Sequence, residues 1–311
     1  MRKDAKQTNQ VRLAGVQNYH SHSSGTNYAY AGFHSNKYFT SDRFIPLDEN
    51  FCRPDGQPLQ GYGLEIETEC NGINAQTVLA EVYDKIIFDH FPADLFKMQN
   101  DGSLHGRTNA ECITQVMTKA FIRNHYKDFK TMYNTYFPAF GISADSANTH
   151  CGMHVNISNA VFGKTEAAQE QAIRKLYYIV NKHFDICKKL FYRCGSTYYC
   201  DQMDYTEART MDLTAFSTDH YVCINLGHYT EGRIELRIVG GQKSFACFRN
   251  TMESVFFLVE RCRSISWADC DNLTAIFKGC NQYVFDRLTI CGLDQTTLAA
   301  IHATVKAEDL L

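Results

Sequence analysis

The chain has 311 residues, 44% hydrophobic and 21% charged, the balance of an ordinary globular protein long enough for one large core or two smaller ones. A formal net charge of −3 gives no general electrostatic reason to bind nucleic acid or an anionic membrane. No stretch approaches the roughly 18 consecutive apolar residues of a membrane span, and polar residues 1–13 lack the apolar centre of a secretory signal, so a cytoplasmic protein is expected.

Residues 1–50 form a polar N-terminal arm, rich over 17–42 in Asn, Ser, His, Tyr and Gly. Its His20-x-His22 pair and His34 read either as a metal site or as parts of a polar, aromatic-rich arm, and the arm is the reading taken. Pro54, Asp55-Gly56 and Pro58 mark a turn before the first strand. Over 62–70, Leu64, Ile66 and Thr68 alternate with Glu65, Glu67 and Glu69, a strand with one apolar and one acidic face. A helical stripe follows over 75–91. Strands are expected over 94–99 and 111–117, around a turn at Asn100-Asp101-Gly102-Ser103.

The spacing of Ile122, Tyr126, Phe129 and Tyr133 predicts a helix over 119–137. Residues 151–158 read as a strand with Met153, Val155 and Ile157 on one face and Gly152, His154, Asn156 and Ser158 on the other. The longest helical pattern starts at an N-cap Thr165 and runs to Phe191. Strands follow over 220–226 and 232–239, then a helix capped by Ser244, then short helices from Arg263 on. The expected architecture is α+β: a mostly antiparallel curved sheet, polar on one face, with helices on its apolar back. The expected units are the arm 1–50, a catalytic domain 51–262 and a helical extension 263–311.

The polar positions carry the chemistry. Glu65, Glu67 and Glu69 on one strand face repel one another, which water relieves at a sheet edge and a bound cation relieves in a sheet interior. His154 beside small Gly152 is either a core histidine or a ligand to something close to the backbone. Arg233, Glu235 and Arg237 share a face and make either a salt-bridge ladder or an anion clamp. Glu111 opens another strand, on a mixed face with Ile113 and Gln115. So many oxygen donors favour Mg²⁺ or Mn²⁺ over Zn²⁺, and arginines beside such ions suit a nucleotide phosphate. Neither G-x-x-x-x-G-K-[ST] nor G-x-G-x-x-G occurs. The 13 cysteines form no C-x-x-C pair, which argues against a zinc ribbon and leaves them as reduced, buried thiols. A Cys151 nucleophile would need a lowered pKa and an orienting group, and neither is evident.

Four ordered blocks resemble the amidoligase family, a branch of the glutamine synthetase-like carboxylate–amine ligases. They are Gly63-Leu64-Glu65-Ile66-Glu67; Asp101-Gly102-Ser103-Leu104 with Glu111-Cys112-Ile113-Thr114; Cys151-Gly152-Met153-His154-Val155-Asn156-Ile157; and Ile224-Asn225-Leu226 with Arg233-Ile234-Glu235-Leu236-Arg237. The resemblance implies a glutamine synthetase-like catalytic fold and an ATP-dependent ligase that forms an amide through an acyl phosphate. It implies ATP and Mg²⁺ (or Mn²⁺) as cofactors, with one ion on Glu65, His154 and Glu235 and another on Glu67 and Glu111. Arg237, Asp101 and Arg193 would act in catalysis, Asp101 on the amine side. Asn156, Arg233, Arg237 and Asn225 would face the nucleotide. The partners implied are small-molecule or peptide carboxylates and amines. The chain departs from the family pattern at Asn156, where a second histidine is usual, at His220-Tyr221, where an arginine is usual, and at Gly240-Gly241-Gln242. A different Mg²⁺-dependent phosphoryl-transfer enzyme or hydrolase, or a catalytically weak nucleotide-binding protein, would share the same carboxylates.

Overall fold

The computed structural model describes residues 61–70, 96–99, 109–114, 116–139, 141–145, 151–193, 200–216 and 221–307. The arm, the turn before the first strand, the helix expected over 75–91, Asp101 with its turn, and His220 lie outside them. Strands β1 (Tyr62–Cys70), β2 (Phe96–Gln99), β3 (Asn109–Thr114), β4 (Ile142–Ser143), β5 (Met153–Ser158), β6 (Ile224–Asn225) and β7 (Arg233–Leu236) form one antiparallel sheet in the order β2-β3-β1-β5-β7-β6, with β4 also paired to β1. The mixed α+β class is therefore as expected from the sequence. The placement of β1 decides one question left open there. It lies between β3 and β5, so its glutamates belong to the sheet interior rather than to a solvated edge.

Period-two alternation holds on the back of the sheet. Leu64, Ile66, Met153, Val155, Ile157, Ile234 and Leu236 are all buried in one hydrophobic cluster. Helix α1 (Lys119–Asn124), helix α2 (Tyr126–Thr131), a π-turn at Met132–Tyr136 and α3 (Phe137–Ala139) occupy the span predicted as one helix. The break falls at His125, whose Nδ1 lies 2.9 Å from the Phe121 carbonyl. The apolar stripe survives it: Ile122, Tyr126, Phe129 and Tyr133 all remain buried.

Helix α4 (Glu166–Lys182) starts at Thr165, whose hydroxyl accepts from the Ala168 N–H as an N-cap should. It ends at His183, one residue before α5 (Phe184–Leu190), where the ring Nε2 reaches the Cys270 carbonyl at 3.0 Å. Helix α6 (Phe245–Ser264), capped by Ser244, carries Phe248, Met252, Val255, Phe256 and Val259 into the core. Phe248 stacks on Phe129 and Phe256 meets Tyr62 edge-on, tying α6 to α2 and to the head of β1.

Helices α7 (Leu273–Phe277), α8 (Gln282–Leu288) and α9 (Gln295–His302) follow. Ile276, Val284, Leu288 and Ile301 belong to the same buried cluster as the back of the sheet. Among the described residues no helix is long and apolar enough to cross a membrane.

The last two strands are shorter than their patterns. The N–H groups of Arg237 and Ile238 both donate to the Cys223 carbonyl, at 2.9 and 3.0 Å. Two residues facing one is the geometry of a β-bulge, which ends regular pairing at Leu236 and redirects the chain beyond it. The ten cysteines with described side chains are buried free thiols. Burial pushes the Cys112 and Cys223 thiols up to about 12, so they pack as neutral groups.

Candidate metal centre

Directly opposed residues of an antiparallel pair share a face, so the register places the polar side chains together. Glu65 opposes His154 on one side and Ile113 on the other, Glu67 opposes Glu111, and Asn156 opposes Glu235. Glu65 is 1% exposed, Glu235 2%, Glu111 5% and Glu67 6%, values rarely seen for carboxylates without partners.

These carboxylates gather around one imidazole. His154 Nδ1 lies 3.1 Å from Glu65 Oε2 and 3.4 Å from Glu235 Oε1, and Nε2 lies 3.4 Å from Glu67 Oε1. A neutral imidazole has one donor and one acceptor nitrogen, so it cannot donate to carboxylates on both sides. Arg237 Nη1 also lies 3.4 Å from His154 Nδ1, and a cation among the carboxylate oxygens fits this arrangement. Glu65, Glu111 and His154 can each offer a ligand atom with all three within 4.8 Å of one another. At that separation two carboxylates repel by roughly 3 kcal/mol for an effective dielectric near 20, which a divalent ion would reverse.

The surroundings fix the carboxylates. Asn156 Nδ2 donates to Glu65 Oε1 at 2.9 Å, and Asn156 Oδ1 accepts from Arg233 Nη1 at 2.5 Å. Arg237 Nη1 donates to Glu235 Oε1 at 2.6 Å, while Asn225 Nδ2 donates to Glu235 Oε2 at 3.0 Å. Asn225 also accepts from the Gly227 N–H and is fully buried, so its amide serves to hold Glu235. The Gly152 N–H donates to Glu67 Oε2. A Cβ on Gly152 would sit 3.0 Å from Arg193 Nη1, 3.1 Å from Glu67 Oε2 and 3.5 Å from His154 Nε2. Glycine is thus what allows Arg193 to approach this end of the cluster.

The sequence-predicted residues Glu65, Glu67, Glu111, His154, Glu235, Asn156, Arg193, Arg233 and Arg237 are brought to one face, while Asp101 lies outside the described residues. The closest potential ligand trio differs from the division drawn by resemblance, which set Glu111 apart with Glu67. Glu111 opposes Glu67 but is also the diagonal neighbour of Glu65, and it is that diagonal which joins it to His154. Cys151 is buried with Sγ 3.7 Å from the Ser143 carbonyl. Sequence reading gave no role to Tyr192, Gly240 or Arg287, which lie at or against the turn that carries Arg193. The Gly240-Gly241 pair was the only visible signal, since a non-glycine positive φ leaves no mark in a sequence.

Glu111→Gln tests the electrostatics of the cluster. Removing one of two directly opposed like charges should stabilise the metal-free protein by about 1 kcal/mol and raise Tm by roughly 3 °C, while reducing any stabilisation by added Mn²⁺. Scanning calorimetry with chelator and with Mn²⁺ would show it. A lower Tm in chelator would mean that the carboxylates do not strain one another.

No protein-family model matches the chain, and no curated protein matches it.

Proposed function

We propose that the chain is an ATP-dependent carboxylate–amine ligase with a glutamine synthetase-like catalytic fold, which forms an amide through an acyl phosphate. The observation that carries this reading is the convergence of buried Glu65, Glu67 and Glu235 on His154, with Glu111 within 4.8 Å and three arginines on the same face. The donor set fits Mg²⁺ or Mn²⁺: it is carboxylate oxygen with one imidazole, and the described thiols face the packed interior. When bound, such an ion would supply charge neutralisation for nucleotide phosphate oxygens.

Glu65, Glu111 and His154 would hold one ion, with Glu67 and Glu235 on either side of His154. Arg237 and Arg193 offer planar guanidinium donors for the charge that develops on a phosphoryl group in transfer. Arg233 is tied to Glu65 through Asn156, so that pair couples an anion-binding fork to a metal-binding carboxylate. In the reaction, a substrate carboxylate oxygen attacks the γ-phosphorus and ADP leaves. The amine nitrogen then attacks the acyl carbon, phosphate leaves, and the nitrogen gives up a proton. A site this buried keeps water from the acyl phosphate. Candidate substrates are amino acids, peptides, cell-wall fragments or modified nucleobases bearing a carboxylate or amine.

The test is an oxygen-tracing assay with Mg²⁺, ATP and panels of ¹⁸O-labelled carboxylates and amines. The expected result is ADP, an amide, and one labelled oxygen in the released phosphate. ADP without amide or label transfer would mark instead a hydrolase or another phosphoryl-transfer enzyme. Calorimetry showing no Mg²⁺·ATP binding would overturn the ligase reading.

A further inference from the structure

Arg193 reaches the carboxylate cluster from an unusual turn. Helix α5 ends at Leu190, with Phe191 as C-cap and Tyr192 next. Tyr192 has φ 57°, the one non-glycine residue with positive φ among the described residues. Its N–H donates to the Lys189 carbonyl at 3.2 Å, and the Arg193 N–H donates to the Lys188 carbonyl at 2.8 Å. That pair of bonds is the Schellman C-cap, whose left-handed position is normally glycine. A tyrosine there is strained and persists only where its surroundings hold it.

Two groups hold it. Arg287, in the last turn of α8, lays its guanidinium over the Tyr192 ring at 3.5 Å from the centroid. The same guanidinium donates to the Leu190 carbonyl at 3.3 Å and to the Lys189 carbonyl, which the Tyr192 N–H also reaches. From the other side, Gly240 donates its N–H to the Phe191 carbonyl at 2.9 Å. A Cβ on Gly240 would come within 2.7 Å of the Tyr192 carbonyl carbon and 2.8 Å of Arg193 Cα, so the turn lies directly on this glycine. Gly240 in turn bridges to Gly152, over which the Arg193 guanidinium sits. Arg193 Nη1 donates to the Val239 carbonyl at 3.3 Å, and its Nε is buried with no hydrogen-bond partner. A guanidinium 8% exposed with an unused donor is suited to receive an added anion.

We infer that Arg287 is a positioning residue: it holds Tyr192 in the left-handed turn and so aims Arg193 as an anion-binding group at the Glu67 end of the cluster. The anion class rests on the ligase reading, as a nucleotide or transferring phosphate; the positioning itself does not.

The experiment uses the full chain with four variants: Arg193→Ala, Arg287→Ala, Tyr192→Gly, and the Arg287→Ala, Tyr192→Gly double. Glycine takes a left-handed φ without help, so the turn should no longer need Arg287 once Tyr192 is replaced. Calorimetric titration with Mn²⁺, then with Mg²⁺·ATP, separates the metal ligands from the anion group. Arg287→Ala should weaken Mg²⁺·ATP by tenfold or more, about what a misplaced polar group costs, and leave Mn²⁺ affinity unchanged. In the Tyr192→Gly background the same replacement should cost less than about threefold, the non-additivity expected of coupled residues.

Hydrogen exchange at the Tyr192 and Arg193 amides is read in parallel and needs no nucleotide. Exchange should accelerate in Arg287→Ala and recover in the double variant. If exchange and nucleotide affinity are unmoved by Arg287→Ala, or fall equally in both backgrounds, the positioning role is overturned. If the unaltered protein binds no Mg²⁺·ATP yet exchange responds as described, the ligase reading fails and the positioning role stands.

Discussion

Replacing Glu65 by glutamine should weaken Mn²⁺ binding by more than about a hundredfold, since even residues that only support metal ligands cost 10- to 100-fold when removed. Glu65 meets His154, Asn156 and the diagonal Glu111 at once. Glutamine keeps the shape and an oxygen to accept from Asn156, but it carries no charge. The fold should therefore survive, because a buried like-charge repulsion is relieved as one ion-assisted hydrogen bond is weakened. Electron paramagnetic resonance of Mn²⁺ measures the loss directly. Under the ligase reading, amide formation should fall by a comparable or larger factor. Unchanged Mn²⁺ affinity in Glu65→Gln would show that the cluster is not a metal site.

Glu253→Ala should do the reverse, removing stability and leaving the metal site chemically intact. Glu253 is fully buried on α6 and its oxygens accept four bonds. Arg123 donates twice, at 2.9 and 2.5 Å, Tyr126 through its hydroxyl at 2.7 Å, and Asn281 at 2.9 Å. Burial, with the Glu253 carboxylate beside it, pushes the Tyr126 hydroxyl well above its ordinary pKa, so it stays a donor. Removing the carboxylate takes a shared charged acceptor from three donors, at a cost of about 3–5 kcal/mol. Tm should fall by roughly 10 °C for a domain of this size, as thermal unfolding followed by circular dichroism would record. A fall of less than 2 °C, within the roughly ±0.5 kcal/mol of an ordinary surface change, would mean that the network is not structural. The two buried glutamates thus differ in sign because one is fully satisfied by donors and the other is crowded by carboxylates.

Much of the site was legible because a strand's faces alternate strictly. Glu65 and Glu67, His154 and Asn156, and Arg233, Glu235 and Arg237 could be sorted by parity before any strand partner was known. Parity does not give register. The sequence could not say that β1 lies inside the sheet, nor that Glu111 meets Glu65 on the diagonal. Ile113 blurred the face of β3, since an apolar residue stands on the polar side opposite Glu65. The breaks at His125 and His183 were hidden because the apolar stripe continues past both. The shortening of β6 and β7 arises from the shared Cys223 carbonyl, a backbone event without a side-chain signature. The turn at Tyr192 was hidden for a related reason: its usual marker is glycine, and here distant residues supply what glycine would have provided.

Arg287 and Asn281 lie late in the chain, yet one braces the turn that carries Arg193 and the other completes the network on Glu253. During synthesis from the N-terminus the strands with the carboxylates leave the ribosome first. Helix α6 can cover their apolar back before α8, which carries Arg287, has been made. The nascent protein therefore passes through a stage in which it has its acidic residues but not the arginine geometry beside them. The arginine side of the site is therefore completed only after α8, the helix that carries Arg287.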